Sequence, residues 1–255
     1  MRWRRRTGPT CRTASFPDVE LRRVEDAAAL AVAAADLVVG AIEARPDAML
    51  LAATGETPMG CYAELARRPL DSSRVRVAQL DEYVGIGEDD PRSLYGWMRR
   101  SLCDPLGIGD ERVIRLRPDG DASVECDAFA AAIDAAGGIE LAILGLGPNG
   151  HLGFNEPPTD PGDPTREVAL SAASLESNVR YFTEAVPTRA RTAGMDLILA
   201  ARRVLLLVSG ARKADILRRM IDGEPNRWLP ASWLQLHPDA IVLADAAALG
   251  EAPQR

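Results

Sequence analysis

Apolar residues along this chain gather into short runs. Between the runs they recur every three or four positions. Met49–Ala53, Val75–Leu80, Ile139–Leu146, Val204–Val208 and Ile241–Ala244 are the short runs. Runs of this length, closed by turn residues, predict strands buried on both faces. Val24–Ala44 is Ala-rich with helical spacing, and Pro46 closes it. Further helices are predicted over Met59–Arg68, with Pro58 in the first turn, and over Ser93–Leu102. Two more follow over Cys126–Ala136, stopped by Gly137-Gly138, and Ala211–Asp222, stopped by Gly223. Pro157, Pro158, Pro161 and Pro164 mark a loop. Strands alternating with helices predict an α/β fold with a doubly wound, mainly parallel sheet in a single domain. Residues 1–18 have no apolar period and read as a disordered N-terminal extension, with the domain over 19–255.

Composition narrows the function. The chain of 255 residues is 47% apolar and 26% charged, which excludes a fibrous or disordered protein. Its net charge of −7 argues against a nucleic-acid partner, and the one basic cluster, Arg2 with Arg4–Arg6, falls in the terminal extension. No window, Ala27–Ile42 included, reads as the roughly 20 uncharged apolar residues that span a bilayer, so no membrane partner is expected. Ser15–Asp26 is too polar for a signal peptide. Cys11, Cys61, Cys103 and Cys126 lack metal-like spacing and read as reduced thiols of a cytoplasmic protein. All but one of the 30 basic residues are arginine, which makes Lys213 worth questioning. Only His151 and His237 can supply an imidazole, and two histidines do not make a usual zinc site, so no metal is expected.

Polar chemistry falls at the predicted strand ends, where doubly wound sheets hold their ligands. Thr54-Gly55-Glu56-Thr57-Pro58 is a strand-to-helix turn that could cradle a phosphate on backbone N–H groups, or be an ordinary turn with Thr57 as cap. Lys213 follows Gly210 at a helix start, where the helix dipole disfavours a cation and a bound anion would give it a reason. Asp81-Glu82 pairs two acids suited to general-base work. Asn149-Gly150-His151 sits in a glycine-rich loop with Glu156 five residues on, a carboxylate able to fix the imidazole tautomer. His237 reads equally as structural or functional.

These stretches together resemble the glucosamine-6-phosphate deaminase (isomerase) family. The resemblance is carried by Leu80–Gly85 (LDEYVG), Asn149–Pro157 (NGHLGFNEP) and Thr54–Pro58 (TGETP). Ser177–Phe182 (SNVRYF), Gly210–Ala214 (GARKA) and Ser232–His237 (SWLQLH) add to it, in order along Val19 to Asp245. It implies a Rossmann-like fold and a reaction without metal or coenzyme: glucosamine 6-phosphate and water give fructose 6-phosphate and ammonium. Carried over by position, His151 opens the sugar ring, tuned by Glu156. Asp81 moves the C2 proton to C1. Arg180, Lys213 and the Thr54–Thr57 backbone hold the phosphate.

Two departures stand out. Asn149 occupies a place where many relatives have Asp, so imidazolium stabilisation would fall mainly to Glu156. Glu56 stands where many have Gly or Ser, which admits another aminosugar phosphate, such as galactosamine 6-phosphate. Of the effector site of relatives activated by N-acetylglucosamine 6-phosphate, only Arg166 is matched, so no such activation is expected. Two rivals remain: a 6-phosphogluconolactonase, with a related fold and a similar Gly-His loop, against which Phe154–Pro157 and Asp81-Glu82-Tyr83 argue, and a non-catalytic sugar-phosphate sensor, against which the presence of both Asp81 and His151 argues. The expected partner is a small-molecule aminosugar phosphate, and the sequence leaves a homo-oligomer open.

Overall fold

Each predicted apolar run becomes a parallel strand. The computed structural model describes residues 19–182 and 186–251, so the predicted extension 1–18 and Cys11 lie outside it. In chain order come β1 (Glu20–Val24), α1 (Ala27–Ala44), β2 (Met49–Ala52), α2 (Glu56–Leu65), β3 (Arg76–Gln79), β4 (Asp81–Tyr83) and α3 (Leu94–Met98). Then follow β5 (Val113–Ile114), α4 (Ala122–Ala135), β6 (Leu141–Gly145), β7 (Arg166–Ala169), α5 (Ala172–Asn178) and β8 (Arg189–Thr192). The chain continues through α6 (Met195–Ala200), β9 (Arg203–Val208), α7 (Ala214–Asp222) and β10 (Ala240–Asp245).

Seven strands form one sheet in the order β1-β10-β9-β6-β2-β3-β5. Every pairing within it is parallel. Alternate residues of each strand serve opposite faces. Met49 and Leu51, Val204 and Leu206, and Val242 and Ala244 enter one apolar core. Leu50 and Ala52, Leu205 and Leu207, and Ile241 and Leu243 enter the other. Both faces are therefore covered, which is why the strands read as continuous apolar runs. α1 is long and apolar enough to cross a bilayer by length and composition, contrary to the sequence expectation. Here Leu30, Ala34, Val38 and Ile42 pack it against α2 and β10.

One strand differs from its prediction in a way that shapes the site. The run Val75–Leu80 leaves the main sheet at Gln79, and Asp81–Tyr83 enters a three-stranded antiparallel sheet, ordered β4-β8-β7. Leu80 is the junction. Its N–H donates to the Ala52 carbonyl in the main sheet, and its own carbonyl accepts from Ala193 beside the small one. Asp81 is thus a strand residue paired with Thr192, just past the end of the predicted strand Val75–Leu80. Arg191 of β8, 2% exposed, bonds Glu167 on β7 and the carbonyls of Arg117, Asp119 and Gly120. That ties the small sheet to the segment after β5. The predicted helix Ser93–Leu102 divides into α3 and a π-helical turn, Arg99–Cys103.

Candidate active site

In the main sheet the strand order reverses between β2 and β6. The connections lead from β2 to one side and from β6 to the other, so their carboxyl ends diverge and leave a crevice. A cavity of about 1280 Å³ opens there. Thr54, Asp81, His151 and Lys213 line it from the ends of four different strands or their loops. Gly55, Glu56 and Thr57 line it as well.

The turn after β2 delivers the start of α2 to the cavity. Gly55 is the N-cap and makes no side-chain cap bond, so the first amides of the helix are not taken by a capping side chain. This corrects the reading in which Thr57 caps the helix, since Thr57 lies inside the first turn. Glu56 is exposed in that turn. Opposite, Gly210 (φ 90°) turns the chain from β9 into a 3-10 turn, Ala211–Lys213, that leads into α7. Asp245 on β10 anchors this turn by accepting from Ser209 Oγ at 2.5 Å and from the Gly210 amide at 3.1 Å. Lys213 Nζ donates to the Leu146 carbonyl at 2.6 Å, holding the ammonium over the β6 loop. Arg180 belongs to the 3-10 turn Val179–Tyr181 after α5, and its side chain lies outside the described residues.

The loop after β6 builds the histidine site. Gly147 lies against the ring, and a Cβ there would stand 2.1 Å from His151 Cδ2. Gly150 takes φ +84°, with Leu229 packed where a side chain would go. His151 Nδ1 lies 3.2 Å from Glu156 Oε2. A carboxylate acceptor there favours the proton on Nδ1 and leaves Nε2 as the acceptor for a ligand. Asn149 Nδ2 donates to Glu156 Oε2 at 2.6 Å and to Ser171 Oγ at 3.3 Å, while its Oδ1 accepts from the His151 amide. Ser174 of α5 donates to Glu156 Oε1 and lies 3.4 Å from His151 Nδ1. Glu156 and Asn149 therefore stand behind the histidine, outside the cavity lining. Burial would raise the Glu156 carboxyl, but His151, Ser174 and Asn149 outweigh it and bring it down to about 2.

Asp81 stands across from this cluster, 7% exposed. Burial pushes its carboxyl up, the neighbouring Glu82 charge adds to that, and a Thr54 hydrogen bond offsets part; the result is about 7. A carboxylate that protonates near neutrality is a competent base there.

Aromatic residues form the wall beyond Asp81. Tyr83 meets Phe182 edge-on at 5.3 Å and Phe154 at 5.4 Å, and Trp97 meets Tyr181 at 5.6 Å. Sequence reasoning passed over Ser171 and Ser174, whose spacing reads only as helix capping. His237 is structural. Its Nε2 lies 2.8 Å from the Ala201 carbonyl and its Nδ1 accepts from the Asp239 amide, which uses both ring nitrogens. Cys61, Cys103 and Cys126 are buried free thiols, with burial pushing Cys61 and Cys103 up to about 12. Among the described residues, no three His, Cys, Asp or Glu side chains converge as a metal site requires.

Comparison with known proteins places this geometry. The family model for glucosamine-6-phosphate isomerases/6-phosphogluconolactonase matches residues 23–243. A glucosamine-6-phosphate deaminase of Clostridium botulinum (strain Loch Maree / Type A3) is 40% identical over 224 residues, spanning 84% of this chain and 91% of that protein. One from Streptomyces avermitilis is 39% identical over 240 residues, spanning 90% and 91%. The solved structure of a monomeric glucosamine-6-phosphate deaminase of the NagB superfamily superposes with a TM-score of 0.88 at 34% identity, covering 91% of this chain and all of that one. The 6-phosphogluconolactonase of Trypanosoma brucei shares the fold, with a TM-score of 0.73 at 19% identity over 92% of this chain and 99% of that one. This chain belongs to the glucosamine-6-phosphate isomerase/6-phosphogluconolactonase family.

Proposed function

We propose that this protein is a glucosamine-6-phosphate deaminase, which converts glucosamine 6-phosphate and water to fructose 6-phosphate and ammonium. The observation that carries the reading is Asp81, a buried carboxyl raised to about 7, placed in one cavity with a carboxylate-held histidine. The deaminase names of the relatives that span most of this chain support it.

The phosphate binds between the first amides of α2 and the Lys213 ammonium, where dipole and charge both favour an anion. Arg180, one residue beyond Val179 in the cavity wall, is assigned to the same phosphate by position. With the phosphate fixed, remote binding energy orients the sugar. His151 Nε2 takes the proton of the C1 hydroxyl and returns it to the ring oxygen, so the ring opens to the aldehyde. Glu156 stabilises the imidazolium that forms between these transfers. Asn149 serves by donating to Glu156, a bond that an aspartate could not make while ionised. Asp81 then removes the C2 proton, a proton of the C2 ammonium passes to the C1 oxygen to give the enol, and Asp81 returns its proton to C1. The C2 nitrogen is left as an iminium; water adds to C2, ammonium departs, and the ketone remains.

Glu56 favours a second reading of the substrate. It stands exposed in the cavity lining at the first turn of α2, so a differently oriented aminosugar phosphate is the alternative. The test is ammonium release and ketose phosphate formation from glucosamine 6-phosphate, beside galactosamine 6-phosphate. Equimolar release from the gluco substrate supports the proposal. Release from the galacto epimer alone keeps the chemistry and changes the substrate. Release from neither, with hydrolysis of 6-phosphogluconolactone, would replace the reaction.

A further inference from the structure

Asp81 has a charged neighbour that the reaction as written does not use. Glu82 is 1% exposed, and both of its oxygens are saturated. Oε1 accepts from the amides of Tyr83 at 2.9 Å and Leu94 at 3.0 Å. Oε2 accepts from Gln79 Nε2 and Ser93 Oγ at 3.0 Å each and from the Tyr95 amide at 2.8 Å. Five donors on two oxygens suit a carboxylate, and the acid form would turn its O–H toward donors.

No counter-cation shares this charge among the described residues. Arg191 stands opposite Glu82 in the sheet register, yet its guanidinium is turned to Glu167 and three carbonyls. Arg115 lies over the Tyr95 ring and bonds Glu88. The Glu82 charge is held by dipoles, which steady an anion without cancelling its field. Around Asp81, the other titratable groups are Tyr83 on its own strand and Tyr62 from α2. Glu56, Arg92, His151 and Lys213 line the same cavity from other elements. Glu82 is the anion held one peptide away.

We propose that Glu82 is a positioning residue of the reaction: its dipole-held charge sets the basicity of Asp81, and its clamp on Ser93, Leu94 and Tyr95 fixes the cavity wall that α3 carries. The proposal rests on the reading of Asp81 as the base. A like charge one residue away opposes ionisation, so the base holds its proton to a higher pH and abstracts more strongly once ionised. The direction found for Asp81 agrees, with Glu82 as its second cause after burial. The same carboxylate joins β4 to α3, whose Trp97 lines the cavity.

Two edits of one cluster test this with opposite signs. Glu82→Gln removes the charge. Ser93→Ala removes one donor and leaves the charge less neutralised. The readouts are the carbon-13 titration of the Asp81 carboxyl, assigned by its loss in Asp81→Asn, and the acidic limb of kcat/KM. Glu82→Gln should move both down by about one pH unit, and Ser93→Ala should move both up. An unmoved titration in Glu82→Gln overturns the proposal. So does a downward move in both variants, which loosening and water entry would produce. If Glu82→Gln does not fold, Ser93→Ala decides alone: upward supports the proposal, and unmoved or downward overturns it. If Asp81→Asn still turns over, the base reading falls and the role of Glu82 falls with it. The carboxyl titration separates that failure from one in which Asp81 is the base and Glu82 leaves it unmoved.

Discussion

Asp81, buried, and Glu156, half-buried, are carboxyls beside one cavity, yet their surroundings push them in opposite directions. Glu156 is brought to about 2 and Asp81 is raised to about 7. Burial acts on both in the same sense, so partners decide the outcome. Glu156 receives donors from Asn149, Ser174 and His151. Asp81 has Thr54 against the adjacent charge of Glu82. One carboxyl is thereby fixed as an anion that serves a histidine, and the other is left able to take and return a proton. Acid–base roles divide in this way when environments push two similar groups apart.

The largest effect that tests this contrast is at Asp81, the proposed base. Asp81→Asn should lower kcat by about a hundredfold to ten-thousandfold while phosphate binding persists. Because the folded Asp81 carboxyl is raised, its ionisation costs stability as pH rises from about 4 through 7. Asp81→Asn should therefore melt at a higher temperature than the native chain at pH 8, and the advantage should vanish below about pH 4. Equal melting temperatures at pH 8 would contradict the raised carboxyl.

Glu156→Gln comes next. It removes a charge-assisted hydrogen bond to His151, and kcat should fall about ten- to a hundredfold. Its stability effect has the opposite sign. The lowered Glu156 carboxyl stabilises the fold above about pH 4.5, and that contribution is lost as pH falls toward 2. The melting difference between native chain and variant should shrink over that range, as a pH series of thermal melts would record.

Lys213→Ala should chiefly raise KM, by about tenfold, because the proposed phosphate site would lose one charge-assisted bond. An unchanged KM would remove Lys213 from the phosphate site. The smallest effect belongs to Ser174→Ala, which takes one of several donors from Glu156. A severalfold fall in kcat with KM unaltered is expected, read from steady-state kinetics.

Much of this was legible because the main sheet is buried on both faces. Its strands had to be apolar runs, and their ends had to carry the polar turns that contain Thr54, His151 and Lys213. The small sheet was less legible. Asp81-Glu82-Tyr83 reads as a polar turn, since its strand character comes from pairing with β8, over a hundred residues away in the chain. β8 alternates Arg with Ala or Thr and β7 reads Arg-Glu-Val-Ala, and neither shows an apolar period. Ser174 gave no signal, because its meaning is a distance to Glu156 that only the tertiary fold creates. Glu82 was visible as half of an acidic pair, but its five donors were not. His237 could be settled only by finding both ring nitrogens in use.

The most direct test is the pH dependence of ammonium release from glucosamine 6-phosphate, as kcat/KM between pH 5 and 9, with Asp81→Asn as the reference. The native rate should fall tenfold per pH unit below about pH 7, as a single proton enters Asp81, and the variant should stay at a low baseline throughout. A native rate that holds level down to pH 5, or a variant that follows the native curve, would contradict the assignment of Asp81 as the base.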